Sequence, residues 1–180
     1  MTALEWKYVY DSCMKYGITL PLLDAGGFKD WHYCHLADYD GQVTGIEGNV
    51  RTIDTGPWSK ITSDWDVTHK MESIQTKYGM IISTSTLEHV KNPINFVKSI
   101  WEALVDGGMV ILTTPFLWHE HGEDDFWRFT PKGLHILFQD FKIHESKYIN
   151  YPSTFKMSTI VASKGELQTV PYKQPEFRFQ

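Results

Sequence analysis

The sequence predicts an α/β fold: a doubly wound, mostly parallel sheet covered by helices on both faces, with an antiparallel pair at its C-terminal edge. Three observations predict it. Short apolar runs alternate with segments of helical spacing along most of the chain, which is the order of strand–helix units that build a parallel sheet. One run, Met109–Thr113, is apolar throughout its first four residues, as expected of a strand buried on both faces. Two last strand-like segments, Phe141–Ile149 and Phe155–Ser163, follow one another without a helix between them, so they pair antiparallel at an edge.

Ala3–Tyr16 places Leu4, Tyr8, Val9 and Met14 near helical spacing, and Gly17 suits its C-terminal stop. Ile18–Leu23 reads as the first strand and ends in Asp24-Ala25-Gly26-Gly27; Gln42–Glu47 reads as the second and ends in an acid. Between them, Lys29–Ala37 has room for a short helix only. A third strand is expected over Lys60–Val67 and a fourth over Tyr78–Ser83. Asn92–Asp106 is the strongest helix: Asn92 can cap it, Pro93 suits its first position, Phe96, Ile100 and Leu104 share a face, and Gly107-Gly108 stops it. The fifth strand, Met109–Thr113, leads into a loop from Phe116 to Phe129. Thr130-Pro131 then opens a helix with Leu134, Leu137 and Phe138 inside, before the final strand pair.

A chain of 180 residues is long enough for one sizeable core and short for two. Residues 1–164 are therefore expected to form a single domain, with 165–180 as a loosely attached tail. Apolar residues make up 42% and charged residues 22%, so neither disorder nor a fibrous architecture is indicated. The net charge of -5 and the lack of a Lys/Arg block argue against duplex nucleic acid as a partner. No apolar run is long enough to cross a bilayer, and Met1–Lys15 has no signal-peptide pattern, so the expected location is cytoplasmic, with no membrane partner. Cys13 and Cys34 lack metal-type spacing and read as two free thiols.

In a doubly wound sheet, ligands bind beyond the carboxyl ends of the strands, where strand order reverses. The glycines of Asp24-Ala25-Gly26-Gly27 permit a tight turn and a close approach of ligand to backbone there. Glu47, at the end of the expected second strand, is placed to hold both hydroxyls of a ribose, and Asp54 competes with it for that role.

Met80-Ile81-Ile82-Ser83-Thr84-Ser85-Thr86-Leu87-Glu88-His89-Val90, then Asn92-Pro93, then Asp106-Gly107-Gly108 before Met109–Phe116, resembles the class I S-adenosylmethionine-dependent methyltransferases, and more narrowly the type 11 group, in which a Leu-Glu-His follows strand four and a Gly-Gly precedes strand five. The segment Trp118–Pro131 resembles a branch of that group. The resemblance implies a Rossmann-like fold and S-adenosyl-L-methionine as cofactor, with S-adenosyl-L-homocysteine as product. It places Asp24, Gly26 and Gly27 in the loop beneath the methionine part, Glu47 on the ribose, Asp66 and the Val67 backbone at the adenine, and Ser83 and Thr84 beside the methionine moiety. The first loop departs from the family in having Phe28 and Lys29 where a third glycine is usual.

Because the methyl donor is an activated sulfonium, the protein mainly aligns the acceptor and excludes water, and a base is needed only where the attacking atom carries a proton. His89 from the strand-four turn, and His119 with Asp124 or Asp125 from the loop, are the candidates. Trp118, Phe126 and Trp127 either cover the acceptor or form the underside of a lid, and Arg128 pairs either with a loop acid or with an anionic substrate. Imidazoles and carboxylates in Trp118–Phe129 also have the chemistry of metal ligands, but the resemblance accounts for that segment without metal, and none is expected. Methyl transfer to a small molecule, with a sugar or glycan precursor as the first guess, is the leading reading. A catalytically silent binding module is the alternative, and the absence of Gly-x-Gly-x-x-Gly disfavours a dinucleotide oxidoreductase.

Overall fold

The computed structural model describes residues 3–19, 22–25, 51–52 and 77–167. The expected strands over Gln42–Glu47 and Lys60–Val67, the short helix over Lys29–Ala37 and the end of the tail lie outside these residues. The described elements are helix α1 (Ala3–Tyr16), strands β1 (Leu22–Asp24), β2 (Arg51–Thr52) and β3 (Tyr78–Thr84), a 3-10 turn (Leu87–His89), helix α2 (Pro93–Ala103), strand β4 (Leu104–Leu117), helix α3 (Pro131–Leu137), and strands β5 (Lys142–Asn150) and β6 (Lys156–Ser163).

The six described strands join one sheet in the order β2-β1-β3-β4-β6-β5. β2, β1, β3 and β4 are parallel, while β6 runs antiparallel to β4 and to β5, so the expected C-terminal edge pair is present. Alternation along each strand sends side chains to two cores. Leu22, Met80, Ile82, Met109, Ile111 and Val161 face one side, where α1 covers them with Tyr8, Val9 and Cys13. Leu23, Ile81, Val110, Leu112, Ile160 and Ala162 face the other, under Phe96, Val97 and Ile100 of α2 and Leu134 of α3.

Helix α1 buries Glu5, Tyr8, Val9, Ser12 and Cys13, a stripe at i, i+3, i+4, i+7, i+8. The face is rotated from the expected one: Leu4 is exposed and two polar residues are inside. Gly17 ends the helix at φ 89° and donates its N–H to Cys13 O at 2.8 Å, the left-handed stop its sequence position predicts. Asn92 caps α2 by accepting from Asn95 N at 3.1 Å, and Thr130 caps α3 by accepting from Gly133 N at 3.0 Å.

Helix α2 is shorter than expected. It ends at Ala103, not Asp106, and Leu104 turns directly into β4 with φ -80° and ψ 142°. Leu104 pairs with Tyr78 and Met109 with Met80, so four β4 residues face the single Gly79 of β3 in a bulge. Gly107, at φ 78°, and Gly108 sit inside that bulge and do not stop the helix. A methyl on Gly108 would lie 2.9 Å from Val105 O and 3.1 Å from Tyr78 O. Helical spacing cannot reveal this, because Leu104 is buried in either conformation. β4 also runs on to Leu117, beyond the expected end at Thr113, since β6 supplies pairing partners as far as Lys156. No helix among the described residues is long and apolar enough to cross a membrane.

Candidate active site

The described ends of β1 and β2 are level, with Asp24 beside Thr52, while β3 passes Asp24 at Ile82 and runs on to Thr84. From β1 the chain steps to β2 in one direction, and β3 and β4 continue in the other, which opens a crevice beyond β1 and β3. Asp24 ends β1 at the head of this crevice. Ala25 N donates to Ile82 O at 2.8 Å, and the buried Ser83 hydroxyl donates to Ala25 O at 2.8 Å. The start of the first loop is thus pinned to β3, and Ser83 serves it with its side chain. Thr84 ends β3 and is buried. Gly26, Gly27, Glu47, Asp54, Asp66 and Val67 lie outside the described residues.

Immediately after Thr84, Ser85 adopts φ 48°, a left-handed conformation that costs a non-glycine residue about 1–2 kcal/mol. Two contacts hold it there: its N–H donates to Thr113 O at 3.0 Å and its hydroxyl to Glu5 Oε1 at 3.0 Å. Glu5, fully buried on α1, also accepts from the Thr113 hydroxyl. The 3-10 turn that follows carries Glu88 and His89. Glu88 is likewise fully buried, and Thr114 Oγ1 donates to its Oε2 at 3.1 Å. Loss of hydration is the main cause that pushes its carboxyl up to about 8, and nearby Glu5 and Asp125 add to the shift.

The loop after β4 docks on this turn. Phe126 N donates to Glu88 O at 2.8 Å, and the Trp127 indole N–H donates to Val90 O at 2.8 Å. His89 Nδ1 lies 2.9 Å from Asp124 O, so Asp124 meets His89 through its backbone carbonyl. Burial depresses the His89 imidazole below its ordinary range. His121 places Nε2 3.2 Å from His89 Nε2 and Nδ1 2.9 Å from Asp125 Oδ2. Arg128 grips Asp125 through both guanidinium nitrogens, one at 2.6 Å from Oδ2. Burial of the enclosed side chain works to raise the Asp125 carboxyl, but that contact and the bond from His121 N together hold it low. Arg128 therefore takes the loop acid as its partner, and Trp127 is part of the docking.

His119 stands apart from the turn. It stacks on Trp118 at 5.6 Å between centroids, meets Phe155 at 5.9 Å and lies 6.5 Å from the ring of His121. Of the three expected catalytic residues, His89 and Asp124 come together and His119 joins an aromatic group. Asp125, the expected alternative to Asp124, meets His121. Glu5, Glu88 and His121 are the additions: with Ser85, Pro115, Trp118 and Met157 they line a cavity of about 180 Å³. The adjacent Glu88-His89 in sequence was a signal for part of this. Nothing marked Glu5, because helical spacing does not say what a helix packs against.

A doubly wound sheet with a pinned first loop, a strained residue after β3 and a partly polar cavity beside it belongs to the class of α/β folds that bind ligands beyond their strand ends. A family profile describing a methyltransferase domain matches residues 13–152. The chain belongs to that methyltransferase family, and it is a class I enzyme that uses S-adenosylmethionine. No curated protein matches it in sequence. Among solved structures it is similar to the Burkholderia thailandensis 1,6-didemethyltoxoflavin-N1-methyltransferase with bound 1,6-didemethyltoxoflavin and S-adenosylhomocysteine, at 13% identity and TM-score 0.64, over 91% of this chain and 79% of that one. It also resembles the N-methyltransferase NodS of Bradyrhizobium japonicum, at 9% identity and TM-score 0.57, over 89% and 94%. Against TehB of Haemophilus influenzae the identity is 15% and the TM-score 0.58; 88% of this chain is covered, and it spans 62% of that protein. At these identities the likeness is one of fold.

Proposed function

We propose that the chain moves the methyl group of S-adenosylmethionine onto a small molecule held in the cavity beside the turn after β3. The carrying observation is that cavity. At about 180 Å³ it has roughly the volume of six waters, room for a small acceptor or the reacting end of a larger one. Glu5, Ser85, Glu88 and His121 offer it polar contacts, and Trp118 and Met157 offer apolar ones. Sugars, with hydroxyls on one face and C–H groups on the other, suit such a lining and are the first class to test. A cytoplasmic location goes with this reading.

The cofactor takes the crevice beyond β1 and β3. Asp24, Gly26 and Gly27 pass under the methionine part, Ser83 and Thr84 flank it with backbone, and Asp66 with the Val67 N–H receives the adenine. For the ribose the register of β2 favours Asp54. Thr52 is level with Asp24, and in the sequence Asp54 comes two residues after it, whereas Glu47 comes five residues before it. Asp54→Ala should weaken S-adenosylhomocysteine binding by about 1.5–3 kcal/mol, the scale of hydrogen bonds to a charged group, with Glu47→Ala near wild type; calorimetry giving the reverse would return the role to Glu47.

In the transfer, the acceptor oxygen forms a bond to the methyl carbon as the sulfur–carbon bond breaks, and the hydroxyl proton leaves to the histidine pair. His121, oriented by Asp125, is the imidazole that lines the cavity, with His89 behind it; His119 backs Trp118 of the wall, and Asp124 holds His89 through its carbonyl. Replacing His121 by Ala should reduce transfer to a hydroxyl acceptor by roughly 10²-fold or more while S-adenosylhomocysteine affinity stays within about 1 kcal/mol. If activity, cofactor affinity and thermal stability fall together, the loop is a clamp and the acceptor assignment fails.

A further inference from the structure

Three ligand-type atoms converge at the mouth of the cavity. His89 Nε2 and His121 Nε2 are 3.2 Å apart, and Glu88 Oε1 lies 3.7 Å from the first and 3.9 Å from the second. The second observation concerns Glu88 alone. Its side chain has no exposure, and Oε1 has no hydrogen-bond partner among the described residues, although Oε2 has one. A buried carboxylate oxygen aimed at two imidazoles without a bond is costly unless something lies between them.

The far sides of both rings say what that is. His89 Nδ1 faces a backbone carbonyl, which can only accept, so Nδ1 carries the hydrogen. His121 Nδ1 faces the Asp125 carboxylate, itself gripped by Arg128, and carries one too. In the neutral rings both Nε2 atoms then present lone pairs to each other. A proton shared between them, or one carried on Glu88 Oε1, would relieve that repulsion, but at 3.7 and 3.9 Å the carboxyl is too far from either imidazole to complete a hydrogen bond and Oε1 stays unsatisfied. A cation between the three atoms satisfies all of them.

We propose that Glu88, His89 and His121 form a binding site for a divalent transition ion, of which Zn²⁺ is the type, with a fourth position open to the cavity. Tetrahedral zinc, with bonds of about 2.0–2.1 Å, sets its ligand atoms about 3.3–3.4 Å apart. The two imidazoles already have that spacing, and the carboxylate closes it with a movement of about half an ångström. Orientation of each ligand histidine by a carbonyl or carboxylate through its other nitrogen is the usual outer shell of a zinc site. The site takes one residue from the acid- and histidine-rich loop and two from the turn after β3. Two histidines, one carboxylate and an open position are a set that polarises a bound water or hydroxyl. An ion there occupies both Nε2 atoms, so the ion-loaded form and the form in which the histidine pair accepts the hydroxyl proton are alternative states of the site, and ion binding stands or falls independently of the methyl acceptor.

The test uses the full chain without a histidine tag, stripped with chelator and free of cofactor. Co²⁺ serves as the absorbing probe, and Zn²⁺ is titrated by calorimetry. One equivalent of Zn²⁺ is expected, competing with Co²⁺ that shows tetrahedral visible bands. His89→Ala and His121→Ala should each weaken binding about 100-fold or more, and Asp125→Asn, acting through His121, about 10–100-fold. His119→Ala should leave it within about twofold. Thermal unfolding checks each variant, and His121, on a surface loop, gives a readout even where a Glu88→Gln protein fails to fold. No saturable binding in the wild type, or binding that survives both histidine replacements, overturns the proposal.

Discussion

Cys13 lies fully enclosed on the inner face of α1, and burial alone pushes its thiol up to about 12. A raised pKa in the folded state means that its contribution to stability is complete below the thiol's ordinary value near 9 and is lost as pH rises from there toward 12. At neutral pH the thiol is therefore both neutral and shielded. In a Cys34→Ser protein, a thiol reagent at pH 8 should label Cys13 only at the rate of unfolding; fast labelling under native conditions would show that α1 does not stay docked. Glu5 and Glu88 show how far neighbours decide the fate of buried acids. Both have no exposure, yet Glu5 accepts from two hydroxyls through one oxygen while one oxygen of Glu88 accepts nothing. Glu88-His89 stood out in the sequence because two chemically versatile residues are adjacent. Glu5 did not, since a carboxylate near the start of a helix is commonplace.

At the scale of elements, caps were legible and the helix-to-strand junction was not. Asn92-Pro93 and Thr130-Pro131 predicted both helix starts to the residue, because a cap is a local hydrogen bond between a side chain and a backbone N–H a turn away. The end of α2 depends instead on Leu104 pairing with Tyr78 across the sheet, a contact that lies outside any local window. Gly107 matters at this junction because its φ of 78° lets β4 absorb the bulge. Gly107→Ala should destabilise the fold by about 1–2 kcal/mol, seen as a lower denaturant midpoint with an unchanged slope. Gly165→Ala, also at positive φ but in open space and beyond β6, is the comparison for backbone strain alone. Equal losses at the two positions would mean that the close packing of the bulge contributes nothing beyond φ.

For the whole molecule, the crevice lies beyond the carboxyl ends of β1 and β3, so ligand binding there should tie the two strand ends together. S-adenosylhomocysteine at 100 times its dissociation constant should add about 2.7 kcal/mol, which for a chain of this size raises the melting temperature by roughly 5–10 °C. Differential scanning calorimetry that finds no shift at saturating ligand would contradict the cofactor assignment. Among the described residues, the order of strands and helices apart from β2, the antiparallel end, the capped helix starts and the family were determined by the sequence alone, because each rests on periodicity, on local hydrogen bonding or on a contiguous motif. Only the tertiary structure decided the rest. It turned α1 so that Glu5 reaches Ser85, placed the partner of His89 on the loop at His121, and put β2 at Arg51–Thr52. The physical reason is the same in each case: these contacts join residues far apart in the chain, and their geometry is set by how the sheet's two faces are packed.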